Sequence, residues 1–556
     1  MRRGLLVLVP VFLAACAESS SPPAAPDAEV TENHPHALAI SEPRRAAFID
    51  ATPGGDTVTI KGTGASKHLT VAGQPAEVAS DGSFVAKIHA TPGLNIIAAV
   101  DGDSRLETAF LYGHFVDPMT PVKNAVAFSV GNRALNGALP DASLESVLNL
   151  ALQNRELVGK LEGKTFSGEN YGVTWSFEVI KGTNGPAEVV LNSAPQGIGI
   201  DASIKDVYVE GRLSMTSKAI DYTRGVKISI GKGGIRGDVD LAVDGDRGAI
   251  TAAMPTAAAT IEGFEFDTDN AGFPCCVDSI LTNLIQPRIS DALSEAVRTK
   301  VPELVQFTLD GVGLPKKFEF GMAGFKTTLP ISARFDGGFF DREGGTLTAG
   351  TVFGSDPKPG TKGWLALGAP YGGAVARPSG VSVSVALDAL NQFMHAAWAN
   401  GSLVYDAPAP LNAHLSVALP PVISFSPEGG IRVGIGEVLV QRAGADHALA
   451  AISAQQEVLP QSQGRSIVLT PKGPPTISVT WLADDSAGSG LNLVAKAAQE
   501  QVLKVLKPFA FPLPAVAMDA AGGGLMGHAL VIDQPSVTVD TKQQRIEASG
   551  LLTLIK

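Results

Sequence analysis

The sequence predicts an α+β chain in which two tandem curved antiparallel sheets are each wrapped around long amphipathic helices, preceded by a small all-β sandwich. Three observations predict it. Residues 43–116 carry turn signals at roughly ten-residue spacing. Two later stretches each run from strict apolar alternation into helical spacing. The openings of those stretches also repeat: Ser129, Val130, Ala134, Leu135 and Asn136 match Ser384, Val385, Ala389, Leu390 and Asn391, giving S-V-x-x-x-A-L-N twice, 255 residues apart. A period that long exceeds any solenoid repeat and reads as two related domains in tandem.

The first 16 residues read as a targeting segment. Arg2 and Arg3 precede a short apolar run, Leu5 to Phe12, which ends in Leu13-Ala14-Ala15-Cys16. The run is too short to span a bilayer, so residues 1–15 read as a signal removed on export. The L-A-A-C ending resembles the bacterial lipobox, which implies that Cys16 is acylated and becomes the mature N-terminus. Ala17, by the same resemblance, favours the outer membrane of a bacterial cell envelope. Residues 16–42 are rich in Ser, Pro and Ala without an apolar period and read as a disordered tether. Its coil span is about 28 Å. His34 and His36 lie in it without two further ligands, and read as solvated side chains rather than a metal site.

Composition fits an exported soluble body. The 556 residues are 45% hydrophobic, and beyond the signal no apolar run approaches the length of a spanning helix. Net charge is −12, or −14 once Arg2 and Arg3 leave with the signal. Binding to nucleic acid through bulk charge is therefore excluded.

In residues 43–116 the pairs Val58/Ile60 and Leu69/Val71, the turns Asp81-Gly82-Ser83-Phe84 and Pro92-Gly93-Leu94-Asn95, and the run Ile96 to Val100 build short strands. V-x-G-x-x-x-x-x-D-G-S-F and P-G-x-N together resemble immunoglobulin-like modules of bacterial surface lipoproteins. The resemblance implies a spacer, with a surface or envelope protein partner as the alternative role.

The first large unit is expected over residues 120–329. Leu135 to Leu152 has helical spacing, and Tyr171, Val173, Trp175, Phe177 and Val179 alternate. Further strands follow up to Phe266. The apolar sheet face needs a cover, and Leu281, Leu284, Ile285, Ile289, Leu293 and Val297 recur at helical spacing to supply one, with Pro287 and Pro302 as kinks. The second unit is expected over residues 330–556. Val381, Val383 and Val385 alternate, then Leu387, Leu390, Met394 and Trp398 step by three and four, and Asn400-Gly401 closes the helix. Leu491, Val494, Val502 and Val505 mark its second helix.

V-S-V-A-L-D-A-L-N-Q-F-M-H-A-A-W-A-N-G-S-L resembles the helix that opens the C-terminal barrel in the family of bactericidal/permeability-increasing protein. K-P-F-A-F-P-L-P, residues 507–514, resembles the turn after that barrel's second helix. The resemblance covers residues 120–556 and implies two lipid-binding barrels meeting at a central sheet. Each would hold acyl chains in an apolar pocket walled by the helical stripes above. The expected cargo is a phospholipid or another acyl lipid, with no cofactor and with membrane contact through the N-terminal anchor. The family's strand-to-helix cysteine bond has no counterpart. Cys275 and Cys276 are adjacent, and a vicinal disulfide, buried thiols and a bond to another chain all remain open to them. The acidic chain also lacks the basic cluster of lipopolysaccharide-neutralising members.

Enzymatic motifs are absent from the sequence: no G-x-S-x-G, no H-E-x-x-H and no P-loop. Asp267, Asp269, Asn270 and Gly272 follow part of a calcium loop, but Ala271 stands at a ligand position. The expectation is a non-enzymatic, membrane-anchored lipid-binding or lipid-transfer lipoprotein. Its competitor is a surface adhesion or scaffolding lipoprotein with filled cores.

Overall fold

The computed structural model describes residues 30–33, 38–52, 55–136, 143–152, 158–170, 172–216, 221–268, 298, 317–322, 325–356, 361–368, 380–407, 412–426, 428, 430–442, 448–482, 509–512, 515–517 and 528–555. Among these residues the chain is nearly all β, with curled half-barrel sheets, and this corrects the expected α+β class. The α-helices whose extent is described are Asn132–Asn136, Leu144–Leu152 and Leu387–Ala399, the longest of 13 residues. Among the described residues no sheet is wrapped around a long helix.

The physical reason lies in the strands. Gly197–Thr216 and Asp221–Asp244 run for 20 and 24 residues, long enough for the natural twist to coil them. Their ladder skips Asp206 and Gly231, and the next ladder skips Gly231 and Gly263. One irregular row therefore crosses three adjacent strands, with Asp206 and Gly263 at φ of 50° and 64°. Such a row bends the strands and flips the alternation, so that Ile204 and Val207 join the same apolar cluster although three residues apart.

This seven-stranded sheet comprises Thr165–Asn170, Val173–Thr183, Gly197–Thr216, Asp221–Asp244 and Ala249–Ala253 in order. Ala187–Ala194 pairs with Gly197–Thr216, and Ala257–Thr268 with Asp221–Asp244. The open edge of Ala187–Ala194 is closed by the helix Leu144–Leu152. Asn149 accepts from Val189 N at 2.6 Å and donates to Val189 O at 2.9 Å, and Glu145 accepts from Leu191 N at 2.9 Å. Side chains here complete a ladder that an edge strand leaves unpaired.

The central sheet runs Lys317–Met322, Phe325–Asp341, Gly344–Phe353, Val122–Gly131, Val381–Ala386, Arg545–Ile555, Ala529–Asp540 and Ala515–Ala517. Four strands come from each half. Where the halves meet, Phe128 lies opposite Val383 in an antiparallel ladder, and those residues are separated by the 255-residue repeat distance. An antiparallel pair has a local two-fold axis between its strands, and here that axis lies beside residues one repeat distance apart in sequence. The helices that follow, starting at Asn132 and Leu387, keep the same offset. Phe325–Asp341 runs unbroken through the expected division at residues 329 and 330.

A nine-stranded sheet forms the other flank, in the order Val30–Asn33, Thr476–Trp481, Ala450–Gln463, Ile431–Arg442, Ala413–Val417 and Val404–Ala407. Val422–Phe425, Ser466–Pro471 and Phe509–Pro512 branch from it. Val30–Asn33 pairs in parallel with Thr476–Trp481. Together with Ala39–Glu42, it gives two strands to a stretch expected to be a disordered tether.

Residues 38–116 fold as two packed sheets. One holds Ala39–Glu42, Thr57–Thr63, Phe84–His89 and Glu77–Val78. The other holds Ala47–Asp50, Thr70–Val71, Gln74–Pro75, Gly93–Asp101 and Ser104–Val116. The patterns of Thr57–Thr63 and Phe84–His89 alternate between exposed and buried, and Ile60, Val71, Phe84, Ala99 and Phe110 form the dry centre. Trp364–Ala366, from the connection between the two halves, adds a strand to the second sheet opposite His114–Val116.

Candidate functional site

The helix Leu387–Ala399 sits at the junction of sandwich, central sheet and nine-stranded sheet. Leu387 is fully buried with Val381, Val383, Ile423 and Ile546, and Leu390 packs against the same cluster. Met394 and Trp398 are half-buried against Leu329, Phe353, Phe393 and Leu403. Trp398 Nε1 donates to Val417 O at 2.7 Å, and its ring lies 5.9 Å from that of Phe48. All four expected lipid-contact residues on this helix therefore meet protein side chains. The other expected contacts, Leu281, Leu284, Ile285, Ile289, Leu293, Val297, Leu491, Val494, Val502 and Val505, lie outside the described residues, as do Cys16, Cys275 and Cys276.

The polar residues of this helix are buried as well. Asn391 donates to Leu365 O and Ile423 O at 3.1 and 3.0 Å and accepts from Ile423 N at 2.7 Å. Gln392 donates to Thr120 O at 2.8 Å and accepts from Phe353 N at 3.3 Å. His395 Nε2 lies 2.8 Å from Lys362 O, so that nitrogen carries the proton. Burial holds the imidazole below its ordinary value. Asp388 accepts from Leu367 N at 2.9 Å. Burial pushes its carboxyl up to about 6, against the lowering effect of that bond. Every one of these bonds reaches a strand or connection outside the helix, so the helix works as a clamp. Sequence reasoning followed the apolar stripe and passed over these residues; the signal was present, because two amides and an imidazole within five positions of an apolar helix need partners.

The sandwich is docked on the nine-stranded sheet through a buried ion pair. Arg45 Nη1 reaches both carboxylate oxygens of Glu437, at 3.0 and 2.7 Å, and Ala109 N donates to Glu437 Oε1 at 2.9 Å. Glu437 is 1% exposed. Burial pushes its carboxyl up, and the Arg45 guanidinium opposes that. Thr480 and Arg45 both donate to Glu107 O, at 3.0 and 2.9 Å. Beside the pair, Gly436 lets Leu94 approach so closely that a Cβ there would stand 2.5 Å from Leu94 Cδ1.

The seven-stranded sheet offers a different surface. Val179, Val207, Val209, Leu213, Val226, Ile228 and Ile230 line one face, and Phe177, Ile204, Met215, Ile261, Phe264 and Phe266 remain only partly buried around them. The reverse face carries Glu178, Glu210, Arg212, Lys227, Glu265 and Asp267. Among the described residues no group of His, Cys, Asp or Glu is placed to hold a metal ion, and no helix is long and apolar enough to cross a membrane.

No protein-family model and no curated protein sequence matches the chain. Among solved structures, the chain is similar to lipopolysaccharide binding protein at 13% identity and a TM-score of 0.41, covering 79% of this chain and 100% of that one. It is similar to P47 of Clostridium botulinum E1 at 9% identity and a TM-score of 0.29, over 78% of this chain and 99% of that one. Takeout 1 of Epiphyas postvittana matches at 13% identity and a TM-score of 0.20, over 32% of this chain and 94% of that one. Superpositions this loose carry no functional weight, and the reading below rests on the chain's own geometry and sequence.

Proposed function

We propose that the protein binds an acyl lipid along the apolar face of the seven-stranded sheet. The observation that carries the reading is the incompletely sealed row of Phe177, Met215, Ile261, Phe264 and Phe266 on strands long enough to accept a fatty chain. Moving a 16-carbon chain from water onto such a surface is worth on the order of 12 kcal/mol, at about 0.8 per CH₂. That is enough to offset most of the cost of leaving a bilayer, so exchange with a membrane is near neutral and the protein acts as a carrier rather than a catalyst. The resemblance of residues 120–556 to the bactericidal/permeability-increasing family supports the same cargo. Acylation of Cys16 in the L-A-A-C sequence would hold the carrier at a bacterial envelope membrane.

Native mass spectrometry followed by lipid extraction tests this. Bound acyl lipid is expected, with occupancy lost in Phe266→Asp while the melting temperature changes little. Met394→Asp is expected to unfold the protein instead, because Met394 packs into a core. Recovery without lipid, together with no uptake from liposomes, would overturn the carrier reading. The second reading, a scaffolding lipoprotein, is favoured by the filled core around Leu387 and Trp398; it predicts that outcome.

A further inference from the structure

Where the seven-stranded sheet meets the central sheet, a cleft of about 270 Å³ is lined by Asn192, Gly199, Asp201, Arg236, Asp238 and Arg342, among others. Register builds most of it: Asp201 stands opposite Arg236, and Gly199 stands between Asn192 and Asp238. These residues share the polar face, the reverse of the apolar one. Arg342 arrives from the hairpin turn after Asp341, where Asn132 Nδ2 donates to Arg342 O at 2.9 Å. Asn136 Nδ2 donates to Asn192 Oδ1 at 3.2 Å and fixes the opposite wall. Gly199 keeps the floor open, since a Cβ there would come within 3.1 Å of Asp238 Oδ1.

Among the described residues neither guanidinium has a carboxylate within 4.0 Å or a side-chain hydrogen bond, and neither carboxylate has a cation. Two cations and two anions thus line one cleft without pairing with each other. We propose that the cleft binds a small phosphate-bearing zwitterion, its phosphate on Arg236 and Arg342 and its ammonium on Asp201 and Asp238. Guanidinium forks match phosphate oxygens. A plain phosphate would meet the two carboxylates, whereas a ligand carrying both charges satisfies all four groups. The volume lies near the lower end of small-molecule sites, which suits a headgroup and not a whole lipid. The source is either free phosphoethanolamine or the headgroup of phosphatidylethanolamine at a bilayer surface. The cleft stands apart from the acyl surface, so each is tested without the other.

Calorimetric titration of the purified full chain with phosphoethanolamine is expected to give saturable binding. Losing charge-assisted bonds in the R236Q/R342Q double variant is expected to weaken it by about tenfold or more. Gly199→Val, which fills the floor, is expected to abolish binding with the melting temperature retained. Sedimentation with phosphatidylethanolamine vesicles, competed by the free compound, assigns the ligand to lipid; binding of the free compound alone assigns it to solution, and either supports the site. No saturable binding, binding unchanged in the double variant, or inorganic phosphate binding as tightly would overturn it.

Discussion

The seven-stranded sheet of residues 165–268 and the nine-stranded sheet of the second half are both made of long strands with kinks at positive φ, yet the second is buried on both faces while the first keeps an exposed, charged face. On its inner side Ile435, Val440, Ile452, Val479 and Trp481 are at most 6% exposed. On its outer side Ser453, Ser478 and Thr480 are also buried, because the sandwich lies over them. On the first-half sheet the reverse face stays wet at Glu178 and Arg212, whose side chains are 51% and 59% exposed. Its reverse face carries cross-strand ion pairs such as Lys205 with Glu188 and Arg212 with Glu178, at 3.6 and 3.9 Å. The difference teaches that the sandwich is a structural part of one half: it turns a two-sided sheet into a filled three-layer body, whereas on the first-half sheet Phe177, Ile261, Phe264 and Phe266 are only partly buried.

Removing the ion pair that docks the sandwich should show this most strongly. Glu437→Ala leaves Arg45 without its carboxylate and Ala109 N without an acceptor, and is expected to cost about 2–3 kcal/mol, read as a lower melting temperature and protease sensitivity at the sandwich boundary. Asp388 sharpens the same contrast through pH. Its native carboxyl titrates at about 6, above the ordinary 3.8. Between those two values the native state keeps a proton that the unfolded chain has lost. Stability therefore falls as pH rises through that window and stays at the lower level above it. Asp388→Asn, which still accepts from Leu367 N, is expected to gain up to about 3 kcal/mol at pH 7 and nothing below about pH 4, measured by denaturant titration at several pH values. Gly436→Val, which overpacks against Leu94, is expected to cost about 1–3 kcal/mol. On the uncovered sheet, Arg212→Ala is expected to change stability by less than about 0.5 kcal/mol. Equal losses for Arg212→Ala and Gly436→Val would break the comparison.

Part of this contrast was readable in advance. The outward positions of the first-half sheet are charged (Glu178, Glu210, Arg212), whereas those of the second are Ala451, Ser453, Ser478 and Thr480, small and uncharged as a covered face requires. The repeat at Ser129 and Ser384 placed two strands that the structure pairs with each other. The expected α+β class undercounts the strands because their alternation breaks phase at Asp206, Gly231 and Gly263, which makes them read shorter than they are; the helical spacing at 277–308 and 491–505 lies outside the described residues apart from 298. The ion pair that docks the sandwich could not be read at all. Arg45 and Glu437 are separated by 392 positions, and nothing local marks a carboxylate for burial beside an arginine so distant.

That separation governs how the chain reaches its final form. A chain made from its N-terminus completes the two sheets of residues 38–116 early, but the surface containing Leu94, Leu111 and Arg45 stays wet until residues beyond 437 have been added. Closing so large a loop is slow compared with folding of the parts. The assembly interval therefore exposes an apolar patch beside a guanidinium whose carboxylate partner has not yet been made. A holding chaperone would find its substrate there, in the half-made molecule, at a place the finished protein conceals.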